Sequence, residues 1–546
     1  MEVVIIILLF LAAVVVSSVI QRAAPISLPL PLVQIALGAL IASTLDFHIA
    51  LDPKVFLLLF IAPLLFLDGW RIPKQGLFRD RWTILALAFG LVLFTVVGAG
   101  FFIHWMIPAM PLAIAFALAA VLSPTDAVSV SAIAARTPIP KRLIHILEGE
   151  SLLNDASGLV CMRFAVAAAL TGTFSIVDAT GTFLWLAIGG TAIGVAATML
   201  ANTAKDWISK QFGEETGSQI LISLLIPFAV YVLAEHLNAS GILAAVAAGI
   251  VMSYEERTGR ALAVTRIRRA AVWDAVQFAG NGVIFVLLGQ QLPGIIAGAG
   301  RVVRDTGHRD ELWLLVYILA ISCVLAALRF LWAWTSLGLI LFRSSRRGQK
   351  LESPGWRLIA VTSLGGVRGA LTLAGVMTLP LTLLDGSAFP ARDLAILLAS
   401  GTIVVSLIAA NVGLPYLMKG VRLPPETTSQ QEEDDARLAA AQAAIAAIDR
   451  KLHEAEKEGH DADLYVQAGT RIAANYRERI EVRSTKRKDL DLARKIDEIE
   501  RKLRLVALNA ERDELYRFAR TGKLTDDLTR MLVREVDLQE SRFRTV

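Results

Sequence analysis

Asp126 and Asp155 stand inside apolar stretches long enough to cross a membrane. The first follows Ser123-Pro124-Thr125 and the second follows Glu150-Ser151-Leu152-Leu153-Asn154. A carboxylate at membrane depth costs on the order of 2.5–3.5 kcal/mol on insertion scales, so such a group is retained where it binds a proton or a cation. The two fit neighbouring spans that meet at one site, which points to ion transport. Ser151 lies one helical turn before Asp155 on the same face. A hydroxyl and a carboxylate together suit a hard cation, which prefers oxygen ligands. Burial favours the protonated carboxyl and a bound cation favours the charged one, so a proton and a cation compete for one site. That competition is itself an exchange mechanism. Pro124 removes a backbone donor and unwinds the helix locally, which frees the carbonyl or hydroxyl of Thr125 for a cation. The bland alternative is that Asp126 caps a half-helix and is structural. Asn154 is polar but cannot ionise, which suggests one mobile charge per cycle unless Asp126 titrates as well. Asp68, in Leu67-Asp68-Gly69, either lines the same site or is an interfacial acid beside Arg71.

Other charges are stranded in apolar surroundings. Arg329 interrupts Ala326-Ala327-Leu328-Arg329-Phe330, and Glu150 is the best partner for it. An unpaired guanidinium at that depth is costly, so the pair is read as structural. Arg368, in Gly365-Gly366-Val367-Arg368-Gly369, is placed to neutralise helix C-terminal dipoles. Arg163 lies two turns after Asp155 and either pairs or reaches a water-filled cavity. His104, His145 and His236 lie near the ends of apolar stretches, where interfacial roles suit them better than pH sensing.

The elements that must position these residues are membrane spans. Of 546 residues, 55% are hydrophobic and 19% charged, below the roughly 25% charged residues of soluble domains. The mean hydropathy is +0.58. Cys161 and Cys323 both fall in apolar stretches and are read as buried thiols, with no disulfide framework and no metal site. Hydropathy and breakers give an all-α polytopic membrane protein with about thirteen spans, each near the twenty residues needed to cross. The spans lie at 3–20, 28–44, 54–70, 82–106, 111–135, 142–171, 179–204, 218–236, 239–254, 270–292, 311–342, 355–380 and 392–418. The first has no basic start and reads as a retained span, not a leader. With the N-terminus outside, the alternate loops carrying Arg71 to Arg81, Arg136 to Arg142, Arg257 to Arg269 and Arg343 to Arg357 all lie inside. Breakers recur in the fifth and twelfth spans, at Ser123–Asp126 and Ser363–Gly369. That offset fits two inverted repeats, and interrupted spans at matching places point to a transporter's site. Glycines that merely allow close helix packing are the alternative. Residues 1–424 are read as the transmembrane domain and 425–546 as a helical cytoplasmic tail. In that tail one helix starts near Thr428, carries Ile445, Ile448 and Leu452 and ends at Gly459. A second runs over about 487–521 with Ile496, Ile499, Leu503 and Val506, and a third is capped at Thr525.

Taken together these residues resemble the monovalent cation:proton antiporter-1 family of sodium/proton exchangers. Leu67-Asp68-Gly69 resembles its acidic third-span motif, Ser123–Asp126 its unwound Asp helix, Glu148–Asp155 its Asn-Asp signature, and Gly365–Ala370 its second crossing helix. The resemblance runs over residues 1 to about 420. It implies thirteen spans in two inverted repeats with two discontinuous crossing helices, core and dimer domains, a homodimer and an elevator-like cycle. It implies that Asp155 and Asp126 handle ions, with Ser151 and Thr125 as ligands and Asn154 holding the site together. Glu150 would pair with Arg329, Arg368 would stabilise the crossing, and Asp68 carries over weakly.

The expectation is therefore a transporter of a bacterial inner membrane, not an enzyme. It exchanges protons for sodium or another alkali cation, electroneutrally at 1:1, for cation and pH homeostasis. It needs no cofactor and no nucleic-acid partner, and a monovalent cation sits at Asp126 and Asp155. The rivals are a potassium/proton antiporter on the same fold, a cation channel, and an intramembrane hydrolase built on Ser151. The last needs a base within reach of Ser151, and His145 is off its helical face.

Overall fold

The computed structural model describes residues 2–24, 28–45, 53–72, 80–126, 141–171, 181–182, 184–257, 262–305, 312–346, 355–383, 385–419, 427–458, 462–484, 487–521, 523–524 and 526–543. The chain divides into two compact units, Met1–Arg422 and Leu423–Val546. The described residues form helices and no strand, with one isolated bridge between Thr382 and Ala388.

The first unit contains α1 (Glu2–Ala23), α2 (Leu30–Leu45), α3 (Pro53–Phe56), α4 (Ala62–Arg71), α5 (Arg81–Leu85), α6 (Val92–Met106), α7 (Leu112–Leu122) and α8 (Lys141–Thr171). It continues with α9 (Gly190–Phe212), α10 (Thr216–His236), α11 (Gly241–Arg257), α12 (Ala263–Asp305), α13 (Leu312–Arg346), α14 (Trp356–Leu364), α15 (Ala370–Met377) and α16 (Arg392–Met418). π-helical turns at Leu57–Ile61, Ala86–Leu91 and Trp185–Gly189 join α3 to α4, join α5 to α6, and lead into α9. Among the described residues, eight helices are long and apolar enough to cross a membrane, and Leu30–Thr44 and Leu112–Leu122 are shorter apolar helices. Their outer surfaces are apolar: Leu8, Val19, Leu93, Trp105, Leu200 and Tyr416 are all exposed. Such a surface suits lipid, where every backbone polar group must be satisfied within a helix.

Two helix pairs owe their closeness to glycine. A Cβ on Gly38 of α2 would lie 2.0 Å from the Val286 carbonyl oxygen of α12, and one on Gly289 would lie 1.9 Å from the Ile35 oxygen. In the same way Gly249 of α11 lies against the Phe66 oxygen of α4, and Gly69 against that of Val246. The backbones touch, as expected where small residues replace a hydrophobic driving force between membrane helices. Aromatic packing fixes α4 further. Phe66 stacks on Trp273 at 5.4 Å between centroids, and Trp70 meets Trp273 edge-on at 6.1 Å. The Trp70 indole donates to Glu256 (2.8 Å), which also accepts from the buried Arg269 (3.0 Å).

The two sequence breakers do interrupt helices. α7 stops at Leu122, and Ser123 to Asp126 continue without helical structure; the remainder of that expected span lies outside the described residues. The twelfth span is two short helices, α14 and α15, with Gly365 to Gly369 between them. One expectation is corrected here. Cys323 faces outward and is exposed, and Cys161 is half-buried, so the thiols are not both buried. An apolar side chain in a span is as well served by lipid as by the protein interior, and hydropathy alone does not distinguish them.

The second unit has α17 (Thr427–Glu458), α18 (Ala462–Ser484), α19 (Arg487–Arg520) and α20 (Asp526–Phe543). α18 is absent from the sequence reading, which expected three helices. Leu464, Tyr465, Val466 and Ile472 of α18 are all exposed, so no buried apolar stripe marked it. Gly459, Gly522 and Thr525, read as helix boundaries, lie outside the described residues. On α19, Leu508 is buried while Ile499, Leu503 and Val506 face outward. Arg512 is paired with Asp537 (3.0 Å) and with Glu540 of α20.

Candidate functional site

A cavity of about 50 Å³ opens where the two helix interruptions meet. It has room for a few waters or a small ion, since one water needs roughly 10–15 Å³ on this measure. Asp68, Thr125, Asp126, Ser151 and Asp155 all line it, and so do Gln277, Asn281 and Thr372. The sequence-derived ion-binding candidates therefore come together, apart from Asn154, which does not line the cavity.

Local geometry explains the assembly. Pro124 interrupts the helix after α7, and the Asp126 N–H donates to the Val367 carbonyl (2.7 Å) inside the second interruption. One broken segment thus satisfies the other. The two also touch at Gly369, where a Cβ would come within 2.4 Å of the Asp126 carboxylate. α8 closes the site from the other side. Ser151 Oγ donates to the Thr125 carbonyl (2.7 Å), and Asn154 Nδ2 donates to Thr125 Oγ1 (3.0 Å). Ser151 Oγ thereby fixes the unwound segment against α8 at the cavity. Asn154 stands behind the cavity and ties α8 to the unwound segment, while its Oδ1 has no hydrogen-bond partner among the described residues. α8 can approach because Gly158 lies against Pro124, with a would-be Cβ 2.4 Å from Cγ.

The flanking charges brace this junction. Arg329 and Glu150, 3% and 1% exposed, form a bidentate pair: Nη2 to Oε2 is 2.6 Å and Nη1 pairs with Oε1. Arg329 Nε also donates to the Thr362 carbonyl (3.0 Å) near the end of α14. One guanidinium thereby joins α8, α13 and α14. Arg368 Nε donates to the carbonyl of Leu122, the last residue of α7 (3.0 Å), and its Nη1 donates to Gly366 O. Its backbone N–H donates to Ser406 Oγ of α16 (3.1 Å). The Leu122 and Gly366 carbonyls lie where broken helices leave such groups without intrahelical partners. Arg163 does not reach the cavity residues; it pairs with Glu235 at the end of α10 (3.4 Å). His104 Nδ1 bonds the Met110 carbonyl (2.8 Å), a local role at a helix end.

Sequence reasoning missed Gln277, Asn281 and Thr372. Gln277 and Asn281 are one turn apart on α12 and form part of the wall facing the two aspartates. Neither carries a charge, and the glycines flanking Asn281 do not interrupt α12. The available signal was two amides at helical spacing within one apolar stretch.

A cluster of oxygen ligands at a helix break is what a cation carrier requires. The comparison with known proteins agrees. The model of the transmembrane sodium/hydrogen exchanger family matches residues 5–420. This chain belongs to that family. The family is one of antiporters, integral membrane proteins that are transporters and not enzymes. Among its relatives is an uncharacterised Na⁺/H⁺ exchanger of Escherichia coli, YjcE, 41% identical over 536 residues and 96% of both chains. A sodium, potassium, lithium and rubidium/H⁺ antiporter of Bacillus subtilis is 37% identical over 522 residues, covering 95% of this exchanger and 74% of the relative. The fold is similar to that of the sodium proton antiporter MjNhaP1 from Methanocaldococcus jannaschii. The match has a TM-score of 0.54 at 16% identity and covers 77% of this chain and 99% of that one.

Proposed function

We propose that this exchanger carries sodium, or another alkali cation, against protons, electroneutrally and at one to one. The observation that carries the reading is the single cavity shared by Asp126, Asp155, Ser151 and Thr125 at the meeting of two interrupted helices. Asp155 holds either a proton or the cation, and Ser151 and the unwound Thr125–Asp126 strand supply further oxygens. Asp68 and Asn281 complete the polar lining. The thirteen spans form two inverted repeats, and the cycle is of elevator type. The cavity's lining supports this: the unwound Pro124–Asp126 segment, α8 and the start of α15 face it together with α4 and α12. The N-terminus lies outside and the helical tail lies in the cytoplasm of a bacterial cell, with the chain working as a homodimer in the inner membrane.

Oxygen ligands alone do not separate sodium from potassium, because cavity size and rigidity decide. The Bacillus subtilis relative is an antiporter of potassium, lithium and rubidium as well as sodium, so a potassium-preferring exchanger is the second reading. Purified protein in proteoliposomes, with proton movement followed on addition of Li⁺, Na⁺, K⁺ and Rb⁺, tests both. Proton efflux driven by sodium supports the first reading, and a response to potassium alone establishes the second. Conductance without coupled proton movement sinks both.

A further inference from the structure

Arg71 ends α4 one turn after Asp68, on the same helical face. Its Nη2 donates to Asp274 Oδ1 of α12 (2.5 Å), and its Nη1 donates to Gln277 Oε1 (2.7 Å). Asp68 and Gln277 both line the ion cavity. The side chains of Arg71 and Asp274 are 40% and 62% exposed. The trio thus stands where the cavity wall reaches the surface. An arginine has donors and no acceptor, so the Gln277 amide oxygen is turned toward Arg71. The guanidinium withholds from the cavity an oxygen that a cation could use. It also places a fixed positive charge beside the entrance, offset by Asp274.

We propose that the Arg71–Asp274–Gln277 cluster is a charged lip that sets the cation affinity of the site, with Arg71 lowering it and Asp274 restoring it. The proposal rests on the antiport reading above. It assigns opposite signs to two residues in direct contact, which a purely structural contact would not produce. Exposed ion pairs contribute little to stability, so the fold tolerates loss of this one.

The test measures apparent sodium KM and kcat for proton efflux from proteoliposomes at low ionic strength. Wild type is compared with Arg71→Met and Asp274→Asn. Arg71→Met is expected to lower KM by about threefold or more, and Asp274→Asn to raise it by about as much. The change falls mainly on KM, and an inert salt shrinks the Asp274→Asn shift, as screening requires. Shifts in the same direction, or none, overturn the proposal. Should Arg71→Met fail to insert, the Asp274→Asn arm decides alone: an unchanged KM, or a rise insensitive to salt, overturns it. A wild-type protein with no cation-driven proton movement would instead overturn the antiport reading, and the proposal with it.

Discussion

In the exchange proposed above, Asp155 is the residue on which the chemistry turns. It shares the cavity with Asp126 and stands one turn from Ser151, whose proton is directed to the Thr125 carbonyl. Asp155→Asn removes the only ionisable group of its helical turn and is expected to abolish cation-dependent proton movement while the protein still inserts. Wild-type-like exchange in vesicles of this variant would remove Asp155 from the mechanism. Asp126→Asn should also cripple transport, with a raised apparent KM as the mildest outcome. The pH dependence follows from competition for one site. A cation enters only after a proton leaves, so the apparent sodium KM rises as pH falls. With one competing proton the rise approaches about tenfold per pH unit on the acid side, and with two it is about a hundredfold. A KM independent of pH across that limb would mean that proton and cation do not compete. The cavity's carboxylates and Ser151 were legible in the sequence because charge and hydroxyl groups in apolar stretches are conspicuous. Gln277 and Asn281 were not. An uncharged amide in a span costs far less than a carboxylate, and only the packing of α12 shows that these two face the site.

The elements hold the residues in place through contacts between broken helices. Pro124 and the Gly365–Gly369 run both read as interruptions, and both interrupt helices. Their mutual hydrogen bond, Asp126 N–H to Val367 O, was not legible, because spacing says nothing of which breaks face each other. Gly369→Ala places a methyl where the Asp126 carboxylate now lies. The carboxylate must move, so a loss of exchange of about tenfold or more is expected, with folded yield less affected. Flux equal to wild type would show that the carboxylate has room to shift without loss of function. Glu150 and Arg329 were paired from sequence because each is stranded in an apolar stretch, and the structure brings their side chains together. The carbonyl of Thr362 as a third partner was beyond sequence reasoning. Either single change to alanine leaves a buried charge, which typically costs about 3–5 kcal/mol. Folded yield and thermal stability in detergent should fall for each, and the double variant should be milder than the two losses added. Strictly additive losses in this cycle would mean that the pair contributes no coupling.

At the scale of the whole molecule, apolar composition announced a membrane protein, whereas the tail's α18 escaped notice because its large apolar residues Leu464, Tyr465, Val466 and Ile472 form no core-facing stripe and are exposed. The molecule's energetics depend on the charge moved per cycle, and here Asn154 carries the argument. Its amide bonds Thr125 Oγ1 and adds no titrating group beside Asp155. On the proposed 1:1 cycle, one proton exchanges for one monovalent cation and no net charge crosses. A membrane potential of 100 mV offers roughly 2.3 kcal/mol per charge moved. An electroneutral exchanger cannot use it and responds to the proton gradient instead, at about 1.4 kcal/mol per pH unit. One pH unit therefore sustains roughly a tenfold cation gradient. The prediction is tested in proteoliposomes whose voltage is set by potassium and an ionophore, by finding the pH gradient that stops net sodium flux. With 1:1 exchange, that balance point lies where the proton and sodium ratios are equal, and it stays fixed as the voltage is varied. A balance point that moves with voltage means that the cycle carries charge. Asp126 or Asp68, which share the cavity, would then be releasing a second proton alongside Asp155. Repeating the measurement with Asp126→Asn and Asp68→Asn would identify which, because only the variant lacking that second proton would return the balance point to voltage independence.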